Sequence, residues 1–153
     1  MVKHLYIHVP FCHRICPYCS FYKHTFGNIN QSELVDSVLN EISIRAQNLE
    51  LNIETIYLGG GTPTALSPKN LETLLTGINK KINPSGLVEW VIEANPSTFD
   101  LNKAKLIKNN NITRVSLGIQ SWNLSTLKTL GRDHDPDEAE KSFEILRSCK
   151  FKS

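Results

Sequence analysis

Four apolar strand patterns, each followed by a helical one, alternate along this chain. Leu5, Ile7 and Val9 alternate with Tyr6 and His8 and stop at Pro10, the period-two signature of a strand. Thr55 to Leu58, Val88 to Ile92 and Arg114 to Leu117 read as three more strands, the third of the four ending at the acidic Glu93. Leu34, Val38, Ile42 and Ala46 form a helical stripe from Glu33 to Leu49, with Ser32 or Asn30 placed to cap it. Ser67-Pro68 reads as a cap followed by proline at the first helical position, and Leu71, Leu74, Leu75 and Ile78 supply the apolar face behind it. Shorter helices are expected over Asn102 to Lys108 and Ser125 to Leu130, and a last one from Pro136 to Lys150. The chain is therefore an α/β protein of four βα units, with an extra helix in the fourth connection. Right-handed crossovers allow an open doubly wound sheet or an arc of a barrel. In both, functional residues gather at the carboxyl ends of the strands.

Those four ends carry the least ordinary residues of the chain: Cys12 to Cys19, Gly59 to Thr62, Glu93 to Asn95, and Gly118 to Gln120. One composite site accounts for all four. Cys12, Cys16 and Cys19 stand at C-x3-C-x2-C spacing, and thiolates this crowded are soft ligands for an iron–sulfur cluster or zinc. The fourth cysteine, Cys149, falls on a late helix and reads as a buried, inert thiol. Three thiolates leave one iron of a cubane without a protein ligand, as a catalytic zinc keeps one open position. The competing reading is a zinc knuckle completed by His8, His13 or His24.

Gly59, Gly60 and Gly61 end the second strand, and Thr62-Pro63 follows. Glycines there permit close approach of a ligand to backbone; alone they equally describe a tight βα turn. No Gly-Lys-Ser/Thr follows, so this is not a phosphate-binding P-loop. Glu93 ends an apolar strand, where a charge requires a partner, either a ligand or a basic residue such as Arg114. Gln120 offers a donor and an acceptor, and Arg132 could grip a carboxylate with its fork or lie solvated on the surface.

A net charge of +2 points to no nucleic-acid partner, and no apolar run approaches the ~20 residues that span a bilayer. Met1-Val2-Lys3-His4 passes directly into the first strand, leaving no signal peptide, so a cytoplasmic chain with reduced thiols is expected.

Five ordered blocks resemble the radical S-adenosylmethionine (radical SAM) superfamily, and within it the oxygen-independent coproporphyrinogen oxidase-like family. They are Leu5 to Cys12 running into the cysteine motif, Gly59 to Pro63, Glu93 to Pro96, Val115 to Ser121, and Leu130 to His134. The resemblance implies a partial (β/α)6 barrel, of which residues 1–153 would be the core domain with its first four units, incomplete at the carboxyl end and an amino-terminal fragment. It also implies a [4Fe-4S] cluster on Cys12, Cys16 and Cys19, with S-adenosylmethionine on the open iron. Tyr6, Tyr18, Gly60, Gly61, Thr62, Glu93, Gln120 and Arg132 match its ligand contacts; no side chain is assigned a catalytic role.

True oxidases of the family carry a further cysteine where this chain has Phe21. That places the resemblance in the HemW-type heme chaperone branch, implying heme binding and transfer, a heme-acceptor protein and an electron donor. The alternative is an oxygen-independent coproporphyrinogen III oxidase acting through a 5′-deoxyadenosyl radical. Spacing selects no heme ligand among His8, His13, His24 and His134.

Overall fold

The computed structural model describes residues 1–27, 30–82 and 86–151. Its main sheet contains β1 (Val2–Val9), β4 (Leu51–Gly60), β5 (Glu89–Ala94) and β6 (Arg114–Leu117), in that spatial order and all parallel. A two-residue parallel bridge, β2 (Phe11–Cys12) with β3 (His24–Thr25), closes the cysteine loop at its base. The helices are α1 (Gln31–Asn48), α2 (Pro68–Lys81), α3 (Leu101–Asn109), α4 (Leu124–Thr129) and α5 (Pro136–Ser148).

The strand order never reverses. A doubly wound sheet turns back at a switch point, whereas here each crossover adds its strand on the same side. The helices follow suit, α1 packing on α2, α2 on α3 and α3 on α5. The sheet is an arc of a barrel. Ile7, Val9, Ile56, Leu58, Trp90 and Ile92 face the helices and meet Val35, Ile42, Leu71, Leu75, Ile78 and Ile107 in one core. Strand alternation sends Tyr6, His8, Tyr57 and Glu93 to the opposite face.

Three strands exceed their expected spans, β1 by starting at Val2 rather than Leu5. β4 begins at Leu51 because Val2 pairs with Leu51, but the register shifts between Val2 and His4. Ile53 and Ile56 are consequently both buried although three positions apart, which breaks the alternation that the sequence pattern relies on. β5 begins at Glu89 and runs on to Ala94, because Glu93 pairs with Ser116 and Ala94 with Leu117. Glu93 is thus inside the ladder rather than beyond it.

Local capping explains the helix starts. Asn30 caps α1 by accepting from Ser32 N–H at 3.0 Å, and Ser67 caps α2 ahead of Pro68. Asp100 and Asn123 cap α3 and α4, moving each start one residue earlier than expected. α5 opens with a complete capping box between Asp135 and Glu138.

Candidate functional site

The strand ends open on a cavity of about 240 Å³. Cys12, Cys16 and Cys19 line it, although they reach it from different points of one loop. Cys12 ends β2 and is buried, with Thr62 Oγ1 donating to its sulfur at 3.7 Å. Burial pushes its thiol pKa up; the Thr62 hydrogen bond opposes that, while Cys19 and Cys16 push it further up. Cys19 N–H donates to the Cys16 carbonyl at 3.1 Å, closing a turn between the second and third cysteines. Lys23 Nζ donates to the carbonyls of Cys19 and Phe21 and fastens the end of that turn.

Among the described residues, no three His, Cys, Asp or Glu side chains already form a closed metal grip. The donor set still fits a three-thiolate cluster better than a four-ligand zinc site. Cys149 sits at the end of α5 and does not line the cavity, and neither do His8, His13 or His24. His13 Nδ1 instead hydrogen-bonds Asp133 Oδ2 at 3.2 Å. His8 Nε2 bonds the Tyr22 carbonyl at 2.9 Å and so must carry the proton, since a carbonyl only accepts. His8 Nδ1 therefore accepts from Tyr6 Oη, also at 2.9 Å.

Gly60, Gly61 and Thr62 also line the cavity, Thr62 beside Cys12. Gly61 N–H donates to the Val9 carbonyl at 2.9 Å and Thr62 N–H to the Phe11 carbonyl at 2.6 Å, so this loop is stitched to the strand that delivers Cys12. Gly60 has φ +111°, and a Cβ there would stand 2.6 Å from the His8 ring. Only glycine meets both conditions. Glu93 also lines the cavity, held by Tyr57 Oη donating to Oε1 at 2.7 Å and Gly60 N–H donating to Oε2 at 3.1 Å. Burial, then the Glu93 hydrogen bond, pushes the Tyr57 hydroxyl up to about 12, so it remains a donor at neutral pH. Arg114 pairs with Glu89 at 3.2 Å, not with Glu93.

Gln120 lines the cavity from a turn with φ +68°, a left-handed conformation costly for a non-glycine residue. Tyr18 stands half-exposed at the rim. Arg132 lines the cavity with its fork already engaged, Nη2 donating to the Gly118 carbonyl at 2.8 Å and Nη1 to Cys16 Sγ at 3.3 Å. Tyr6 is the one expected site residue outside the cavity. It lies across the sheet face, its ring stacked 6.1 Å from Tyr57, and borders a separate hollow of about 460 Å³ between β1 and α1. That larger hollow contains no cysteine and is walled mainly by apolar residues such as Val2, Ile42 and Leu49.

His134 is buried, with Nε2 donating to the Ile119 carbonyl at 3.1 Å, and it does not line the cavity. Sequence reasoning missed Arg14, Lys23 and Ser116, all of which do. The first two were readable as cations beside thiols, the usual companions of thiolates. Ser116 became visible only through its register with Glu93.

A parallel arc with three thiols, a glycine loop and a hydrogen-bonded acid at its strand ends defines a β/α-barrel protein with a composite strand-end site. The chain belongs to the radical SAM superfamily, whose family model matches residues 6–153. Membership implies iron–sulfur and S-adenosylmethionine chemistry in general terms. A heme chaperone HemW of Bacillus subtilis (strain 168) is 37% identical over 158 residues, covering 99% of this chain and 41% of that protein. A heme chaperone HemW of Escherichia coli (strain K12) is 35% identical, covering 97% of this chain and 40% of its own length. The radical SAM coproporphyrinogen III oxidase (HemN) of Escherichia coli shares the fold with a TM-score of 0.88 at 24% identity, over 99% of this chain and 36% of that one. The chain spans about two fifths of the length of the curated relatives it matches. Among the described residues, no helix is long and apolar enough to cross a membrane.

Proposed function

We propose that Cys12, Cys16 and Cys19 hold a [4Fe-4S] cluster and that the cavity beside them takes S-adenosylmethionine, in a HemW-type protein of heme binding and transfer. The observation carrying this reading is that three thiols, and no fourth, share one strand-end cavity with Gly60 to Thr62, Glu93, Gln120 and Arg132. A bound cluster would supply one-electron reduction of the S-adenosylmethionine sulfonium. This chain's own residues would do the rest. The three thiolates hold the metal, while Arg14 and Lys23 offset negative charge. The Gly60–Thr62 backbone and Gln120 offer hydrogen-bonding groups to an amino-acid moiety. Tyr6, which also borders the second hollow, is read as a ligand contact near the cluster.

The heme-transfer reading is favoured over the oxidase by Phe21. It lines the cavity yet presents only an apolar ring where the oxidase branch carries a cysteine. Heme, a heme-acceptor protein and an electron donor are the partners of this reading, and the cytoplasm its compartment. Anaerobic reconstitution tests it. The chain should take up about four irons per molecule; Ala at Cys12, Cys16 or Cys19 should abolish uptake, and Cys149→Ala should leave it unchanged. Saturating S-adenosylmethionine should shift the electron paramagnetic resonance signal of the reduced cluster, and hemin titration should show binding. Zinc without iron, or an unshifted signal from folded protein, would reject the assignment.

A further inference from the structure

The cysteine loop has little burial to hold it. His13, Arg14, Ile15, Pro17, Tyr18, Ser20, Phe21 and Tyr22 are all exposed, and the β2–β3 bridge secures only the base. Among the described residues, the side-chain hydrogen bonds that tie positions 13–18 to distant parts of the chain come from Arg132 and Asp133. Three consecutive residues of the turn between α4 and α5 meet that loop in order. Gly131, at φ +65°, lies so close to Pro17 that a Cβ would stand 2.7 Å from the proline ring. Arg132 donates to the Cys16 sulfur. Asp133, only 12% exposed at its side chain, takes His13 Nδ1 on Oδ2 at 3.2 Å, and Asn95 Nδ2 donates to its Oδ1 at 3.4 Å. A carboxylate only accepts, so His13 Nδ1 carries its proton.

We propose that Asp133 is a positioning residue. Its carboxylate joins the cysteine loop, the end of β5 and the 131–133 turn, and thereby sets the thiols and Arg132 in place before any metal arrives. Asp133 touches neither cavity nor thiol; it acts through His13 and Arg132. A largely buried carboxylate suits this because it can accept from two segments at once, whereas an exposed pair with His13 alone would contribute little. The reasoning rests on the cluster assignment only for its consequence, since the clamp itself is a property of the polypeptide.

The test uses the 153-residue chain as Asp133→Ala and, to avoid reliance on a variant that fails to fold, as His13→Ala, whose side chain is 63% exposed. In metal-free protein, hydrogen exchange of the Cys19 amide, which donates to the Cys16 carbonyl within the loop, should accelerate about tenfold in Asp133→Ala, as expected from losing a charge-assisted hydrogen bond. The acceleration should be smaller in His13→Ala, with amides of β4 and β5 unchanged in both. After reconstitution, the midpoint potential of the bound cluster should shift in Asp133→Ala, because Arg132 would no longer be held against the Cys16 sulfur. His13→Gln, which keeps a donor, should restore slow loop exchange. Unchanged loop exchange in Asp133→Ala overturns the proposal, as does acceleration spread evenly over the whole chain. If wild-type chain takes up no iron while loop exchange still responds, the clamp stands and the cluster assignment falls. Normal iron uptake with unaltered potential and exchange in both variants has the opposite meaning.

Discussion

Glu93 shows how a charge is tolerated inside a parallel strand. Both its oxygens are occupied, one by Tyr57 Oη and one by Gly60 N–H, so its orientation is set by the fold before any ligand is considered. Tyr57→Phe removes one of those donors and should lower stability by about 1 kcal/mol in urea unfolding; an unchanged midpoint would mean the hydroxyl contributes nothing. His134 supplies a pH-dependent term. Burial, assisted by the charge of Arg132, lowers its pKa, so the folded chain keeps it neutral where the unfolded chain takes up a proton. The stability this carries is intact above the ordinary histidine value of 6.5 and is lost as pH falls below it. The melting temperature of wild type should drop more between about pH 7.5 and 5.5 than that of His134→Gln, whose amide can still donate to Ile119. Equal slopes in the two proteins would rule this out. At this scale the sequence identified the types of residue well and their partners poorly. Tyr6 lies on the face of β1 that alternation gives it, opposite Ile7 and Val9.

The elements owe their limits to short-range chemistry, which is why most were readable. Ser67-Pro68 and the Asp135-Pro136 pair start α2 and α5 where the sequence pattern puts them. The capping box on α5 satisfies backbone donors at both Asp135 and Glu138, with hydrogen bonds of 3.0 and 2.8 Å. Asp135→Ala should therefore cost about 1 kcal/mol, seen as a lower thermal midpoint and frayed first-turn amides in hydrogen exchange. A cost confined to experimental error would show that α5 is held by packing alone. The 13–23 loop was legible only as a cysteine spacing. Its parallel bridge to His24–Thr25 joins two stretches too short for any periodicity to appear.

Among the described residues, the sheet has two outer strands, β1 paired with β4 alone and β6 with β5 alone. β1 carries Lys3 and His4 along its length, while β6 is four residues with Val115 and Leu117 half-buried against the core. Strands with one unpaired side invite association unless they are covered or charged. Sedimentation of the 153-residue chain is expected to show self-association that grows with concentration, and a polypeptide carrying further β/α units after β6 is expected to show less. A monomer at every concentration would mean that β6 is already sufficiently protected.

The sequence by itself determined the βα alternation, the starts of α2 and α5, the three-thiol motif and the gathering of special residues at strand ends. Each of these rests on interactions within a few residues, which leave a local pattern. Only the tertiary structure decided that the strands run in unreversed order as an arc, since periodicity is identical in a doubly wound sheet. It also decided that Arg132 and Asp133 brace a loop more than a hundred residues away. Such contacts form because crossovers bring distant strand ends together, and no local pattern along the chain records which ends will meet.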